Sequence, residues 1–338
     1  MNGMIAALLM QDALTTGAIY ALLAVSLVLV FSVTRIILIP QGEIVSLSAL
    51  TLAALEGQHI PATIWLVGLG GAMVALKHAF GRQFRLALIW LLGPALVVGL
   101  ATLLAPFQLG VVGRLGLTLL ICAPLSLIMY QLAFRPLANA SVLVLLIVAM
   151  AVHVLLTGFS LLAFGPEGFR TQPQFAGISQ IGGIGIRLQA LFIIATAIVL
   201  GVALALFFGR SIAGKALRAT AYNAVGARLV GIRPQNAGMV AFLLAGLIGC
   251  ISGMLISSVT TVYFDSGFMI GLKGFIAAIL GGLGSFPLAI LGATLLGVIE
   301  SFASFFASAY KDVIVFLLII PVLLWRNVAT SAGEDDEE

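Results

Sequence analysis

Charged residues are scarce in this chain: the 12 acidic and 16 basic residues make up only 8% of its 338 positions. Hydrophobic residues make up 62% of the chain. A water-soluble fold of this size cannot bury the apolar surface of so many hydrophobic side chains. Several long apolar runs approach or exceed the roughly 20 residues that cross a hydrocarbon core. The clearest occupy 13–34, 114–133, 142–164, 188–208 and 236–258. The composition therefore excludes a soluble protein and predicts an all-α polytopic membrane protein.

Cysteine and histidine are also rare. Cys122 and Cys250 each fall inside a predicted span, where a thiol behaves as a small hydrophobic group, so no disulfide is expected. His59, His78 and His153 are scattered and show no ligand spacing with Cys, Asp or Glu. We expect these histidines to serve in loops or in helix packing, and we predict neither a metal site nor a cofactor.

No motif for catalysis stands out, because neither a Ser, His and acid grouping nor a GxSxG nucleophile elbow is evident. Residues 209–216 match the phosphate-binding pattern GxxxxGK[ST] except at the last position, where Ala216 has no hydroxyl to hold magnesium. A membrane span precedes them instead of the buried strand that such a loop requires. We therefore predict no catalytic residues and do not expect an enzyme.

The cations are distributed unevenly among the connecting segments. The polar interruption at 209–235, between two long apolar runs, holds five of the sixteen. If this loop is cytoplasmic, alternating spans place six more cations on the same side, namely Arg35, Lys77, Arg82, Arg85, Arg135 and Arg326. This positive-inside pattern predicts that 165–187 lies outside and that the acidic tail at 327–338 is cytoplasmic. Nucleic-acid binding is not expected, because aromatic residues are not interleaved with these cations.

A Gly-rich stretch near 271–306 differs from the regular spans. Further runs at 43–56, 61–77 and 86–106 bring the predicted total to about 8–11 transmembrane helices, including short or re-entrant segments in this stretch. Residues 273–283 are too few to span alone, and 282–287 must turn. Irregular backbone at membrane depth is tolerated only where protein or a water-filled cavity satisfies it. We therefore predict that the stretch lines or gates a pathway, with Gly281, Gly282 and Gly284 as candidates.

Few ionisable residues interrupt the apolar runs, and each is costly at the bilayer centre unless it faces a cavity or a partner. Glu43 follows Pro40, Gln41 and Gly42, a helix-breaking sequence directly after the first span. Its carboxylate can stabilise a helix N-terminus or sit in interfacial water. A structural role and a role in the pathway both stay open for these charges. The further pathway candidates are Gln41, Gly42, Glu43, Lys273 and Glu300.

Small residues recur at every fourth position in three predicted spans. The sets are Ala13, Gly17 and Ala21; Ala245, Gly249, Gly253 and Ser257; and Ala289, Ala293, Gly297 and Ser301. A spacing of four places each set along one helix face, where another backbone can approach closely. These faces border a translocation route or a subunit interface, or they serve ordinary helix packing.

Five stretches carry a resemblance to a known family: AIYALLAVSLVLVFSV (18–33), QGE (41–43), FRPL (134–137), GKALRATAYNAVGARLVGI (214–232) and GFMIGLKGFIAAILGGLGSFPLAILGATLLGVIES (267–301). On these, and over nearly its whole length, the chain resembles the membrane permease subunits of ABC importers of the branched-chain amino acid class. Leu38, Gln41 and Asn223 stand where that family commonly has Asn, His and an acidic residue. Residues 70–115 look like an inserted helical pair.

The resemblance implies a single transmembrane permease domain over 1–338, multi-pass in the bacterial inner membrane. Such a subunit forms half of a translocation pathway and pairs with a second homologous permease or a second copy of itself. Two cytoplasmic ATPase subunits hydrolyse ATP, and an extracytoplasmic solute-binding protein delivers cargo. The implied cargo is a branched-chain or other small apolar amino acid, or a related small organic solute.

The resemblance also assigns a role to the polar loop. In the family, the segment matching 219–229 is the coupling helix that docks on the ATPase. The slim run of alanines and Gly226 suits docking, while Arg218 and Arg228 can meet acidic groups on a partner. The expected coupling residues are Arg218, Ala219, Thr220, Ala221, Tyr222, Asn223, Ala224, Val225, Gly226, Arg228 and Leu229.

The alternative is a secondary transporter or channel that works without ATPase subunits. Broken helices and Gly-rich half-spans suit that class equally well. The polar loop and the scarcity of intramembrane acids for ion coupling favour the importer.

Overall fold

The computed structural model describes residues 3–181, 184–322 and 324. The predicted all-α membrane architecture is confirmed, since the described residues form thirteen α-helices and one two-stranded sheet. In chain order the elements are α1 (Gly3–Thr34), α2 (Gln41–Glu56), α3 (Thr63–Phe80), α4 (Phe84–Leu104), α5 (Val111–Met129), α6 (Val142–Phe164), β1 (Ile178–Ile181), β2 (Ile184–Arg187), α7 (Leu188–Arg210), α8 (Ile212–Tyr222), α9 (Ala224–Leu229), α10 (Pro234–Ile256), α11 (Ser266–Leu280), α12 (Phe286–Phe306) and α13 (Lys311–Leu317). The predicted acidic tail at 327–338 and Arg326 lie outside the described residues.

Eight of the described helices are long and apolar enough to cross a membrane, in agreement with the predicted number. They are α1, α3, α4, α6, α7, α10, α12 and the continuous segment Val111–Leu137, in which α5 passes through a π-helical and a 3-10 turn. The predicted 142–164 coincides with α6. Helices α2 and α11, of 16 and 15 residues, are shorter than these spans and adjoin the Pro-Gln-Gly break and the Gly-rich stretch.

The chain forms two compact units. The first comprises the described residues within 1–28, 176–197 and 273–338, and the second those within 29–175 and 198–272.

Helix α2 forms the centre of the second unit and is buried along nearly its whole length. It packs against α10 through the predicted small-residue face. A Cβ on Gly253 would overlap the Val45 carbonyl oxygen, and one on Gly249 would lie 2.6 Å from Gln41 Nε2. Helix α5 packs against both α2 and α10. Its Ser126 lies so close to Gly246 of α10 that a Cβ on Gly246 would overlap the Ser126 hydroxyl. The prediction that this face permits close backbone approach is confirmed.

In the first unit, the other two predicted small-residue faces pack against each other. A Cβ on Gly297 of α12 would lie 2.5 Å from the Ala13 carbonyl oxygen and 2.6 Å from the backbone nitrogen of Gly17 in α1. The Ser301 hydroxyl donates to the carbonyl of Leu9 at 2.9 Å. The antiparallel hairpin of β1 and β2 also belongs to this unit and was not anticipated from the sequence.

We predict that Gly253→Ala lowers the melting temperature of the detergent-solubilised protein, because the new methyl group meets backbone rather than a movable side chain. Overpacking of this kind costs about 1–3 kcal/mol. Gly158→Ala in α6 is the matched control, since its Cβ would have no neighbour within 4 Å. Equal melting temperatures for the two variants would contradict the close approach of α2 and α10.

Candidate functional site

The start of α2 is a buried polar site. Pro40 ends the preceding segment, and α2 begins at Gln41. The Gln41 side chain is fully buried, and its Nε2 donates to the Ala245 carbonyl of α10 at 2.8 Å. A Cβ on Gly42 would overlap the carbonyl oxygen of Gly267. The helix break predicted at this position therefore places backbone of α2 directly against the beginning of α11.

Glu43 is fully buried and pairs with His153, a partner that is distant in the sequence. Its Oε1 lies 3.0 Å from Nδ1 of His153 in α6, and the Ser46 hydroxyl lies 3.4 Å from Oε2. The His153 ring packs on Phe268, with centroids 4.9 Å apart. Gly267 leaves room for the carboxylate, because a Cβ there would lie 2.7 Å from it.

The partnership of Glu43 and His153 could not be read from sequence spacing, since 110 residues separate them. The available signal was His153 itself, the only ionisable residue of the apolar helix α6. An ionisable side chain inside a membrane helix requires a partner or a cavity. The arrangement joins α2, α6 and the first turn of α11 through one polar cluster in an otherwise apolar setting.

A second buried charge cluster lies in the first unit. Lys273 Nζ lies 2.5 Å from Glu300 Oε1 and 2.8 Å from Asp312 Oδ1. Lys273 and Glu300 are nearly buried, whereas the Asp312 side chain is 43% exposed. The two predicted pathway charges are thus brought together, and Asp312, which the sequence analysis missed, joins them. The cluster connects α11, α12 and α13.

The Gly-rich stretch forms a tight connection between α11 and α12. A Cβ on Gly281 would overlap the backbone of Ala289, and one on Gly292 would lie 2.6 Å from the Ala277 carbonyl oxygen. Gly282 has φ of 89°, a left-handed conformation that favours glycine. Gly284 is exposed, and a Cβ there would have no neighbour closer than 3.7 Å. Of the three predicted glycines, Gly281 is therefore required by packing and Gly282 by its backbone conformation.

The expected coupling residues form two short helices, α8 and α9, in the second unit. Leu217 and Thr220 are buried, while Tyr222 is 95% and Leu229 85% exposed. Asn223 separates the helices, and its Oδ1 accepts from the backbone nitrogens of Val225 and Gly226 at 3.0 and 2.9 Å. An N-cap of this kind satisfies amides that lack a helical partner. The segment presents apolar side chains to solvent, flanked by the exposed cations Arg218 and Arg228.

Residues assigned to one membrane side by charge gather at one end of the second unit. A cavity of about 440 Å³ is lined by Arg35, Tyr130, Tyr222 and Arg228, among others. At the other end of α5, Arg114 lies 3.4 Å from Glu56, which also accepts from the backbone of Gln172 at 3.2 Å. Arg35 and Arg228 of the predicted inner side and Gln172 of the predicted outer segment thus lie near opposite ends of α5.

The near-match to a phosphate-binding loop at 209–216 has helical structure. It contains the end of α7 and the first turns of α8, with Ser211 as the N-cap that accepts from Gly214 N at 2.9 Å. No group of three or more potential metal ligands occurs within the described ranges.

The sequence model described as "branched-chain amino acid transport system, permease component" matches residues 9–323. The chain belongs to this family and is a multi-pass permease subunit of an ABC importer in the cytoplasmic (inner) membrane. Its similarity to the branched-chain amino acid permease BraD of Pseudomonas aeruginosa is 27% identity, over 93% of this chain and 92% of BraD. No solved structure matches the chain.

Other relatives share less of their length. The branched-chain amino acid permease LivH of Escherichia coli K12 is 33% identical over 57% of this chain and 65% of LivH. The autoinducer 2 import permease LsrC of Yersinia enterocolitica is 31% identical over 39% of each chain.

We predict that Lys273→Met strongly destabilises the protein, because it leaves the nearly buried Glu300 without its cation. Breaking a buried ion pair from one side costs about 3–5 kcal/mol. The double variant Lys273→Met/Glu300→Gln should recover much of the lost melting temperature, since it removes both charges. Lys215→Met, at an exposed cation of α8, is the control. A double variant no more stable than the single one would argue against this pairing.

A further prediction concerns the turn between α11 and α12. Gly282→Leu should abolish solute uptake by an assembled transporter, because φ of 89° is strained for leucine. Gly284→Leu introduces the same side chain two residues away, where there is space, and should retain uptake. Uptake is measured in vesicles after the assembled complex has been quantified. Normal uptake by an assembled Gly282→Leu transporter would show that the turn is a tolerant linker.

Proposed function

We propose that this chain forms half of the translocation pathway of an importer for branched-chain or other small apolar amino acids, or related small organic solutes. The family and the names of BraD and LivH support this cargo class. The proposed assembly contains a second homologous permease or a second copy, two cytoplasmic ATPase subunits that hydrolyse the ATP, and an extracytoplasmic solute-binding protein. In this proposal the whole chain is one transmembrane permease domain.

The observation that carries the proposal is the exposed apolar surface of α8 and α9. Tyr222, Val225 and Leu229 are large side chains directed to solvent in a segment rich in small residues. Exposed apolar groups flanked by cations are typical of a docking surface rather than of a solvated loop. We assign this surface to the ATPase subunits, which places the loop 209–235 in the cytoplasm.

We assign the pathway to the predicted residues on the strength of their burial and polarity. Gln41, Gly42 and Glu43 form the buried start of α2, directly after the break at Pro40, and Lys273 and Glu300 form the buried pair of the other unit. Gly281 and Gly282 permit the tight connection between α11 and α12, whereas Gly284 has weaker structural support. Intramembrane ionisable groups and irregular backbone commonly mark solute routes.

We predict that Ala224→Arg reduces ATPase binding or uncouples ATP hydrolysis from uptake, because it places a bulky charge at the exposed start of α9. The matched control is Ala213→Arg, at an exposed alanine about 180° around the α8 axis from Tyr222. Solute uptake and ATP hydrolysis are measured together in vesicles containing the reconstituted complex. Equal coupling of ATP hydrolysis to uptake in the two variants would contradict the assignment of α8 and α9 as the docking surface.

Two further experiments distinguish an ATPase-coupled importer from a secondary transporter. Ala216→Ser completes the phosphate-loop pattern but should create no nucleotide binding in the isolated subunit, because the residue lies within the regular helix α8. Uptake by the purified permease without ATPase subunits would contradict the coupling proposal and favour a secondary transporter.

A further inference from the structure

A groove of about 310 Å³ opens on the second unit, and none of the pathway or coupling candidates lines it. It is lined by Lys77 and His78 from the last turn of α3, by Gln83 before α4 and by Arg135 after α5. The lining residues include no acid. The charge pattern assigns this end of the unit to the cytoplasmic side.

The two cations of the groove converge on one neutral residue. Lys77 Nζ donates to the backbone carbonyl of Gln131 at 2.6 Å, and Arg135 Nη1 donates to Gln131 Oε1 at 2.7 Å. Within the described part of the chain, neither cation forms an ion pair. Two like charges held beside each other without a carboxylate favour an anionic ligand.

His78 provides a second and independent indication of a ligand. The residue is only 8% exposed, and its Nδ1 lies 3.0 Å from Gln83 Oε1. Because an amide oxygen only accepts, Nδ1 carries a hydrogen in this contact, and Nε2 is the ring nitrogen that takes no part in it. That Nε2 is buried and has no partner among the described residues. A buried polar nitrogen without a partner calls for a hydrogen-bonding group from a ligand.

The surface beside the groove is apolar. Phe80, at the end of α3, is 82% exposed, and Leu76 and Phe84 are also exposed. In a multi-pass protein, such side chains on spanning helices face acyl chains. A ligand that fits the cations, the buried His78 nitrogen and the apolar surface carries a phosphate, a hydroxyl group and a hydrocarbon tail.

We propose that this groove binds the head group of an anionic phospholipid. The phosphate lies between Lys77 and Arg135, a head-group hydroxyl forms a hydrogen bond with His78 Nε2, and the acyl chains lie along α3 and α4. Basic pockets between membrane helices on the cytoplasmic side are suited to anionic head groups. The hydroxyl requirement distinguishes phosphatidylglycerol from phosphatidylmethanol, which has the same charge and no head-group hydroxyl.

The test uses the assembled complex with the full chain, and native mass spectrometry measures lipid retention. Wild type should retain phosphatidylglycerol more strongly than phosphatidylmethanol. Lys77→Gln/Arg135→Gln should weaken the binding of both lipids about tenfold or more, since each cation near an anionic lipid contributes. His78→Phe should weaken only the binding of phosphatidylglycerol. Arg85→Gln, at an exposed cation outside the groove lining, should change neither.

Three results would overturn the proposal. Equal retention of the two lipids by wild type would remove the hydroxyl contact, and unchanged retention in the double variant would remove the phosphate contact. Displacement of the lipid by soluble glycerol 3-phosphate would show that a free phosphate, rather than a lipid, occupies the groove. If the double variant does not assemble, the comparison of the two lipids on wild type and His78→Phe decides the assignment.

Discussion

The second unit depends on burying the polar start of α2 within apolar surroundings. Because lipid offers no hydrogen bonds, the Gln41 amide and the Glu43 carboxylate must find partners inside the protein. These contacts form only because the residues that face Gln41 and Glu43 are glycines, which have no side chain to block them. Gly249 leaves space for the Gln41 amide to reach the Ala245 carbonyl, and Gly267 leaves space for the Glu43 carboxylate. The polar start of α2 can therefore be buried only because small residues face it.

The first unit meets the same requirement with ionic partners. Lys273 lies on a short helix that is followed by a glycine turn, and the turn lets α12 pack closely on α11. That packing brings Glu300 within 2.5 Å of Lys273, while the partly exposed Asp312 approaches from α13. Desolvation of a buried charge is offset only by such close geometry. The glycines of this stretch thus stabilise a charge cluster as well as a turn.

Sequence patterns predicted the features that depend on local composition. Apolar run length located the spans, and the fourfold spacing of small residues identified three packing faces, two of which contact each other. The contacts between distant charges were not predictable, because Glu43 and His153 are far apart in sequence and each has several plausible roles. The same holds for Asp312, which joins the Lys273 cluster. The hairpin of β1 and β2 carries only a weak local signal within an apolar chain.

Helix α10 links the proposed docking surface to the proposed pathway. It begins at Pro234, shortly after α9, and Gly238 in its second turn lies against Tyr130, whose hydroxyl donates to the Gln235 carbonyl at 3.0 Å. Three turns from its start, the Ala245 carbonyl accepts from Gln41. A continuous helix is stiff over this distance, about 16 Å at 1.5 Å per residue. Displacement of α8 and α9 by a docked ATPase would therefore move the partner of Gln41 directly. At Gly249 and Gly253, α10 is in close contact with α2. Because packed helices leave no room for one to move alone, that movement would shift the polar start of α2 itself.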